Sequence, residues 1–352
     1  MMMRPLRFLG MMLASIALLP RTAPAQEVPP PDITGFVQGG IHARVGGELE
    51  RDRALGSISM LPPADVESGF FLSKARLYFR GGVDERFGYT IQTDLAGGPS
   101  ILTAYATARL SEGLRIQAGQ MLKPFGRDRQ RARHRLLSLD RSMGSFALVS
   151  RLLYGGWDLG AMVSAGSAAT RLRTGLFNGR APGVTADDDE GKNAVARLDL
   201  SPGEGLEAGV NVSYLHLSTL APDRRGNLAW GADFLLDTGP LTLEGELLSA
   251  DDHDAPPGTT GGPPRMLDIL LTAAVEGPDL AGMGGTRLVL RVERLDPDIS
   301  TDDDHMIMVL PSVDAATSAS TRLQFGVVRQ EPAGTGREAG TAVILLWQVN
   351  YF

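Results

Sequence analysis

The stretch Phe71 to Gly81, FLSKARLYFRG, decides how the rest of the chain is read. Side chains two apart on a strand point the same way, so Ala75, Leu77 and Phe79 share one face and Lys74, Arg76 and Arg80 the other. A soluble sandwich would also pair an apolar face with a polar one. Its apolar face would be rich in large aliphatics, whereas here and in the neighbouring strands that face is often Ala and Leu. Aromatics such as Phe79, Phe87 and Tyr89 sit near strand ends. Weak apolar faces, strands of about ten residues and aromatic ends are what a wall crossing a bilayer demands.

The same alternation spreads outward from this stretch. Phe87 to Ala96 sets Phe87, Tyr89, Ile91 and Leu95 against Thr90, Gln92 and Asp94, after a V-D-E-R turn. Ile101 to Leu110 sets Leu102, Ala104, Ala106 and Ala108 against Thr103, Tyr105, Thr107 and Arg109. Across the Ser111-Glu112-Gly113 hairpin, Leu114, Ile116 and Ala118 face away from Arg115, Gln117 and Lys123. Ile33 to Ala43 precedes them. Trp157 to Gly166, Ala169 to Asn178, Asn193 to Leu200, Leu206 to Leu217, Asn227 to Leu236, Leu241 to Ser249, Met266 to Val275, Arg287 to Leu295, Met306 to Leu310, Arg322 to Gln330 and Thr341 to Tyr351 follow. About sixteen strands are expected; Met306 to Leu310, and a further run before Trp157, Phe146 to Leu153, are the least secure. An even number puts both chain ends on one side, and the sheet has to close because an unpaired backbone group in hydrocarbon costs several kcal/mol. The connections at Arg180 to Lys192, Asp251 to Arg265 and Pro311 to Thr321 are expected as extracellular loops, with the Asp84-Glu85 and Glu112-Gly113 turns on the opposite side.

The expected fold class is therefore all-β: a transmembrane antiparallel β-barrel of about sixteen strands. Residues 1–25 read as a signal peptide, with Arg4 and Arg7 before the apolar run Phe8 to Leu19 and Ala23-Pro24-Ala25 as cleavage site. Twelve apolar residues fall short of the roughly 20 that span a bilayer. Residues 26–352 form the barrel. Without Arg4, Arg7 and Arg21, 31 basic residues face 41 acidic ones, so the mature chain is no nucleic-acid binder. The absence of cysteine removes disulfides and thiolate metal sites and suits export to an oxidising compartment.

Against that acidic balance, Leu122 to Arg141, LKPFGRDRQRARHRLLSLDR, is strongly basic. It carries Lys123, Arg127, Arg129, Arg131, Arg133, Arg135 and Arg141 with His134, against Asp128 and Asp140. As a helix it would align Arg127, Arg131 and Arg135; extended, it would align the five odd-numbered arginines from Arg127 to Arg135. One reading is a solvated loop or short surface helix. The other folds the stretch into the lumen as a basic constriction loop.

The residues here resemble the phosphate-selective porin O and P family. The matching pieces are Lys74-Ala75-Arg76-Leu77 with Gly81, the Tyr89 to Asp94 strand, Gly119-Gln120 with Lys123-Pro124-Phe125-Gly126, Asp140-Arg141-Ser142, Phe177-Asn178-Gly179, Ala196-Arg197 and Arg291-Val292-Glu293. They are clearest from about residue 70 to 200. The resemblance implies a sixteen-stranded barrel of Gram-negative outer membranes, a homotrimer, and a basic constriction passing phosphate or related anions. Partners expected on this basis are inorganic anions (phosphate, polyphosphate), outer-membrane lipid and lipopolysaccharide, and the barrel-assembly machinery. That machinery reads a terminal aromatic on an alternating strand; Val343, Leu345, Trp347, Val349 and Tyr351 alternate, while Phe352 falls in the opposite phase.

A sixteen-stranded barrel leaves an aqueous channel, so selectivity has to come from its lining, and rings of Arg and Lys are the usual device for anions. A cation facing lipid at mid-membrane costs about 2 to 4 kcal/mol. Lys74, Arg76, Arg80, Arg115, Lys123, Arg171, Arg173, Arg197, Arg287 and Arg291 are accordingly expected in the lumen with Arg127, Arg129, Arg131, Arg133 and Arg135. Glu207, Glu244 and Glu246 are expected to balance some of them. The acidic runs Asp187 to Glu190, Asp251 to Asp254 and Asp302 to His305 lack an ordered ligand loop, so no metal site is assigned. No cofactor is expected. Catalytic motifs are missing: there is no G-x-S-x-G, no H-E-x-x-H and no Gly-rich phosphate loop. A hydrolase within the wall would need a serine beside one of the five histidines, and a non-conducting surface barrel is the further alternative.

Overall fold

Alternating polar and apolar residues have one stable arrangement in lipid: strands closed on themselves, polar side chains inward. The computed structural model describes residues 30–47, 49, 61, 66–180, 183, 186–187, 191–216, 227–253, 263–279, 285–334, 336 and 338–351. Sixteen strands follow in chain order: β1 Asp32–Gly46, β2 Ser68–Gly82, β3 Phe87–Asp94, β4 Ser100–Ser111, β5 Leu114–Leu122, β6 Trp157–Gly166, β7 Thr170–Phe177, β8 Lys192–Gly203, β9 Leu206–His216, β10 Leu228–Asp237, β11 Leu241–Asp251, β12 Arg265–Glu276, β13 Thr286–Asp296, β14 Met306–Ser318, β15 Thr321–Pro332 and β16 Gly340–Tyr351. Each pairs antiparallel with the next. β1 closes on β16 in a register that runs Gly35 opposite Tyr351 and Ile41 opposite Leu345.

The burial pattern is inside out relative to a soluble protein. Gln38, Gln92, Asn211, Gln324 and Gln348 are buried within the barrel, whereas Leu271, Leu290, Val292, Phe325 and Leu345 are exposed in a contiguous outer band. Such a band on a water-soluble surface would be an interaction or aggregation site; around a closed barrel it is the surface lipid covers.

Two expectations need correction. Phe146 to Leu153 is not a strand: Met143–Phe146 forms one helical turn, α2, continued by a π turn over Ala147–Arg151 inside the long β5–β6 connection. Its apolar residues Ala147, Leu148 and Leu152 are buried within the barrel, so apolarity there reflects packing of a folded-in loop. Pro311 to Thr321 is not an extracellular loop either, because β14 runs on to Ser318 and a two-residue turn leads to β15. Pro311, whose ring lacks an N–H, is opposite Leu290 on the β13 side and falls in a gap of the β14–β15 register between Val309 and Ser312. The expected signal segment, residues 1–25, and the terminal Phe352 lie outside the described residues. So do parts of the acidic stretches Asp187 to Glu190 and Asp251 to Asp254.

Candidate functional site: a guanidinium-lined constriction

The connection from Lys123 to Gly156, between β5 and β6, folds into the lumen and crosses it. Its two ends are held together at the wall. Lys123, fully buried, donates from Nζ to Leu153 O at 2.5 Å and to Asp158 at 3.3 Å. Gly126 then turns the chain with φ 71, a left-handed value that favours glycine, into the helical turn α1, Arg127–Gln130.

What fixes the loop is a row of carboxylates on the strands opposite. Glu246 on β11 accepts the backbone N–H of Arg127 at 2.5 Å and of Asp128 at 3.2 Å. Glu293 on β13 accepts from Met143 N and, at 3.2 Å, from Gly144 N, the first N–H groups of α2. Each glutamate thus satisfies backbone donors that a helix start leaves unpaired. Side chains add ion pairs. Arg127 reaches Glu207 at 2.8 Å and Glu244 at 3.1 Å, and Arg131 reaches Glu244 at 2.7 Å. Arg291, completely buried, donates to Ser138 Oγ at 2.7 Å, to the carbonyls of Asp140 and Arg141, and to Glu293 at 3.0 Å. Arg322 holds Leu136 O at 2.9 Å while paired with Asp314 at 2.5 Å.

The loop is tied to β9, β11, β13, β15, β16 and β1, and the remaining space opens toward β2 to β7. A cavity of about 360 Å³ remains there, lined by Arg76, Arg80, Arg115, Arg129, Arg131, Arg141, Arg171 and Arg173 with Tyr78, Gln92, Gln130 and Trp157 among its neutral residues. Among the described residues, no carboxylate lines it. Four of the eight are neutralised from outside the cavity: Arg76 by Asp94 at 3.0 Å, Arg131 by Glu244, Arg141 by Asp128 at 3.7 Å, and Arg173 by Asp199 at 2.8 Å. Arg80, Arg115, Arg129 and Arg171 pair with no carboxylate among the described residues. Arg129 lies over the Trp157 ring, 4.5 Å from its centroid, and Arg80 over Tyr78 at 5.0 Å. Stacking orients a guanidinium without consuming its charge.

Of the residues expected from sequence, Arg76, Arg80, Arg115, Arg129, Arg131, Arg171 and Arg173 converge on this cavity. Lys74 stands beside Asp94 at 3.8 Å. Lys123, Arg133, Arg197 and Arg291 are buried in ion pairs: Arg133 with Asp140, and Arg197 with Asp233 at 2.6 Å. Arg127 is spent on the carboxylate row. Arg135 is exposed outside the cavity lining, and Arg287, 43% exposed, lies 3.7 Å from Asp314. Neither of the two expected ladders forms. The segment makes one α turn, an extended step and a 3-10 turn at Arg133–Arg135, so its arginines splay in different directions. His134 adds no charge at neutral pH: burial and then the cations Arg135, Arg76, Arg322 and Arg80 push it down to about 4. Asp140 moves the other way from what burial alone would give, because Arg133 and the Arg141 N–H hold it below the usual carboxylate range.

Arg141 was not among the expected lining residues although the basic stretch includes it. Its alternation with the loop arginines gave no hint that it folds back to the carbonyls of Asp128 and Arg131. The docking role of Glu293 was also missed, since a lone inward glutamate on a strand looks like any other lumenal acid.

A closed sixteen-stranded barrel narrowed by an inward loop between β5 and β6 is the architecture of a porin. The family model for phosphate-selective porin O and P matches residues 64–231, so over that stretch the chain carries this family's signature, as the motifs suggested. Comparison with curated protein sequences gave no match. Among solved structures, the chain is similar to an anion-selective porin from Comamonas acidovorans (14% identity, TM-score 0.65, covering 92% of this chain and 100% of that one). It is similar to the outer membrane channel DcaP of Acinetobacter baumannii (14%, TM-score 0.67, 91% and 97%). It is also similar to the trimer form of OmpT, an outer membrane protein of Vibrio cholerae (9%, TM-score 0.58, 91% and 99%). At these identities the likeness is one of fold.

Proposed function

We propose that this protein is an outer-membrane channel for passive diffusion of anions, with phosphate or polyphosphate the favoured solutes. The observation that carries this reading is the cavity beside the constriction loop, lined among the described residues by eight arginines and no carboxylate. Guanidinium groups donate parallel hydrogen bonds that match tetrahedral oxyanions, and several weak sites in series pass an ion faster than one tight site. Arg80, Arg115, Arg129 and Arg171 are the residues that meet the solute; Arg76, Arg131, Arg141 and Arg173 shape the positive potential around them. The overall charge of −7 does not oppose this, since a low-dielectric wall confines the local field to the pore.

Family signature and fold also support export through a cleaved signal peptide, insertion by the barrel-assembly machinery, contact with lipopolysaccharide, and assembly as a homotrimer. The test is the reversal potential across a planar bilayer in a potassium chloride gradient, repeated with added phosphate. Anion preference with chloride current blocked by millimolar phosphate is the expected result. Chloride current indifferent to phosphate would leave a general anion porin. Cation preference would remove the reading.

A further inference from the structure

The loop's second docking point holds a group whose chemistry the channel reading does not use. Asp268 on β12 is fully buried, and no N–H or O–H group of a described residue donates to either of its oxygens. It faces the equally buried Glu293, the acceptor for the Met143 and Gly144 N–H groups. The charged groups around the pair are Arg291 from β13, Glu246 from β11 and Asp128 from the loop. Arg291 is committed to Glu293 and to loop carbonyls, and the other two are acids. Gly144 seats the loop directly on this pair: a Cβ there would meet Asp268 Cγ at 2.2 Å and Asp268 Oδ2 at 2.2 Å.

Two carboxylates out of contact with water cannot both carry charge when one cation serves them. We propose that Asp268 and Glu293 share one proton, and that this proton is the latch fixing the α2 end of the constriction loop to the wall. Asp268 is thus a positioning residue for the channel: protonated, it donates to Glu293, whose Oε1 accepts from Met143 and Gly144. Loss of the proton at alkaline pH places two charges together, and the cheapest relief is for the loop to lift and admit water. This rests on the channel reading for its electrical consequence, while the loop movement stands without it.

The test uses full-length barrels of wild type, D268N and E293Q, with heat-modifiable migration on gels confirming that each has folded. Asparagine keeps the shape and the donor but cannot ionise. As pH is raised from neutral, wild-type single-channel conductance should pass through a transition that D268N lacks, with D268N matching wild type at pH 7. Glutamine at 293 donates to an ionised Asp268 and should flatten the transition likewise. Amide exchange of Met143 and Gly144 gives a readout independent of conduction. Above the transition it should be faster in wild type than in D268N at the same pH, by about tenfold for each pH unit beyond it. A D268N channel that keeps the wild-type transition, or wild-type exchange equal to D268N throughout, overturns the latch. Barrels that show the exchange difference but conduct cations would leave the latch and remove the anion channel.

Discussion

The two halves of the barrel interior solve opposite problems. From β2 to β7 the inner face presents arginines to the cavity, with no acid among the described residues lining the space they enclose. From β8 to β14 it presents Asp199, Glu207, Asp233, Glu244, Glu246, Asp268, Glu293 and Asp314, and nearly all of these are occupied by loop arginines, wall arginines or loop N–H groups. An acid on the inner wall therefore contributes structure, and an unpaired arginine across the lumen contributes field. Counting lumenal charges of each sign would miss this, because on the proposed function selectivity follows the charges left uncompensated.

Breaking the structural half should have the largest effect. Replacing Arg291 with methionine strips a fully buried cation from Glu293 and three loop acceptors, and loss of one partner of a buried pair costs about 3–5 kcal/mol. The temperature at which the folded band disappears on gels should drop markedly, with erratic conductance in whatever folds. An R291M barrel as stable as wild type would show that the loop is held by other means.

Next in size is the field. R80E, R115E and R171E together should lower the anion-to-cation permeability ratio by about tenfold or reverse it, since focused pore potentials change local ion concentrations by that order. R129E adds to the loss; an R133E change should act on folding instead, because Arg133 is buried against Asp140. Replacing Arg129, Arg131 and Arg133 together by Glu therefore mixes both effects, and selectivity unchanged by it would place this segment outside the conducting path. The same comparison predicts that raising salt weakens anion preference, as the Debye length falls from about 10 Å at 0.1 M to about 3 Å at 1 M.

The smallest expected effect concerns pH. His134 has its folded value pushed below its unfolded one, so its contribution to stability is complete above about pH 6.5, the ordinary histidine value, and is lost as pH falls from there toward 4. Wild-type barrels should unfold at somewhat lower temperature at pH 5 than at pH 7, and H134Q should reduce that slope. Anion preference should not rise over this range on account of His134. An increase abolished by H134Q would mean that the ring titrates in open water.

The strands were legible because alternation with period two needs no knowledge of partners. Lys74, Arg76 and Arg80 on one face of FLSKARLYFRG already placed that face in the lumen. The constriction loop was legible in charge and not in shape. Phe146 to Leu153 looked like a strand because a short apolar run has no period of its own, and only its packing beneath the loop settles it as helix. Which arginines stay uncompensated was not legible at all. Arg127 and Arg129 are two apart, yet Arg127 ends on Glu207 and Glu244 while Arg129 ends on Trp157, a division made by residues far away in sequence.

Reversal potentials of two matched variants test the division of labour between the walls most directly. R80Q/R115Q/R171Q removes three free charges from the basic wall, and D199N/E207Q/E244Q removes three paired charges from the acidic one. In a potassium chloride gradient the first should abolish most of the anion preference, and the second should leave its sign unchanged. Equal and opposite shifts from the two sets, or a wild-type channel that prefers potassium, would contradict it.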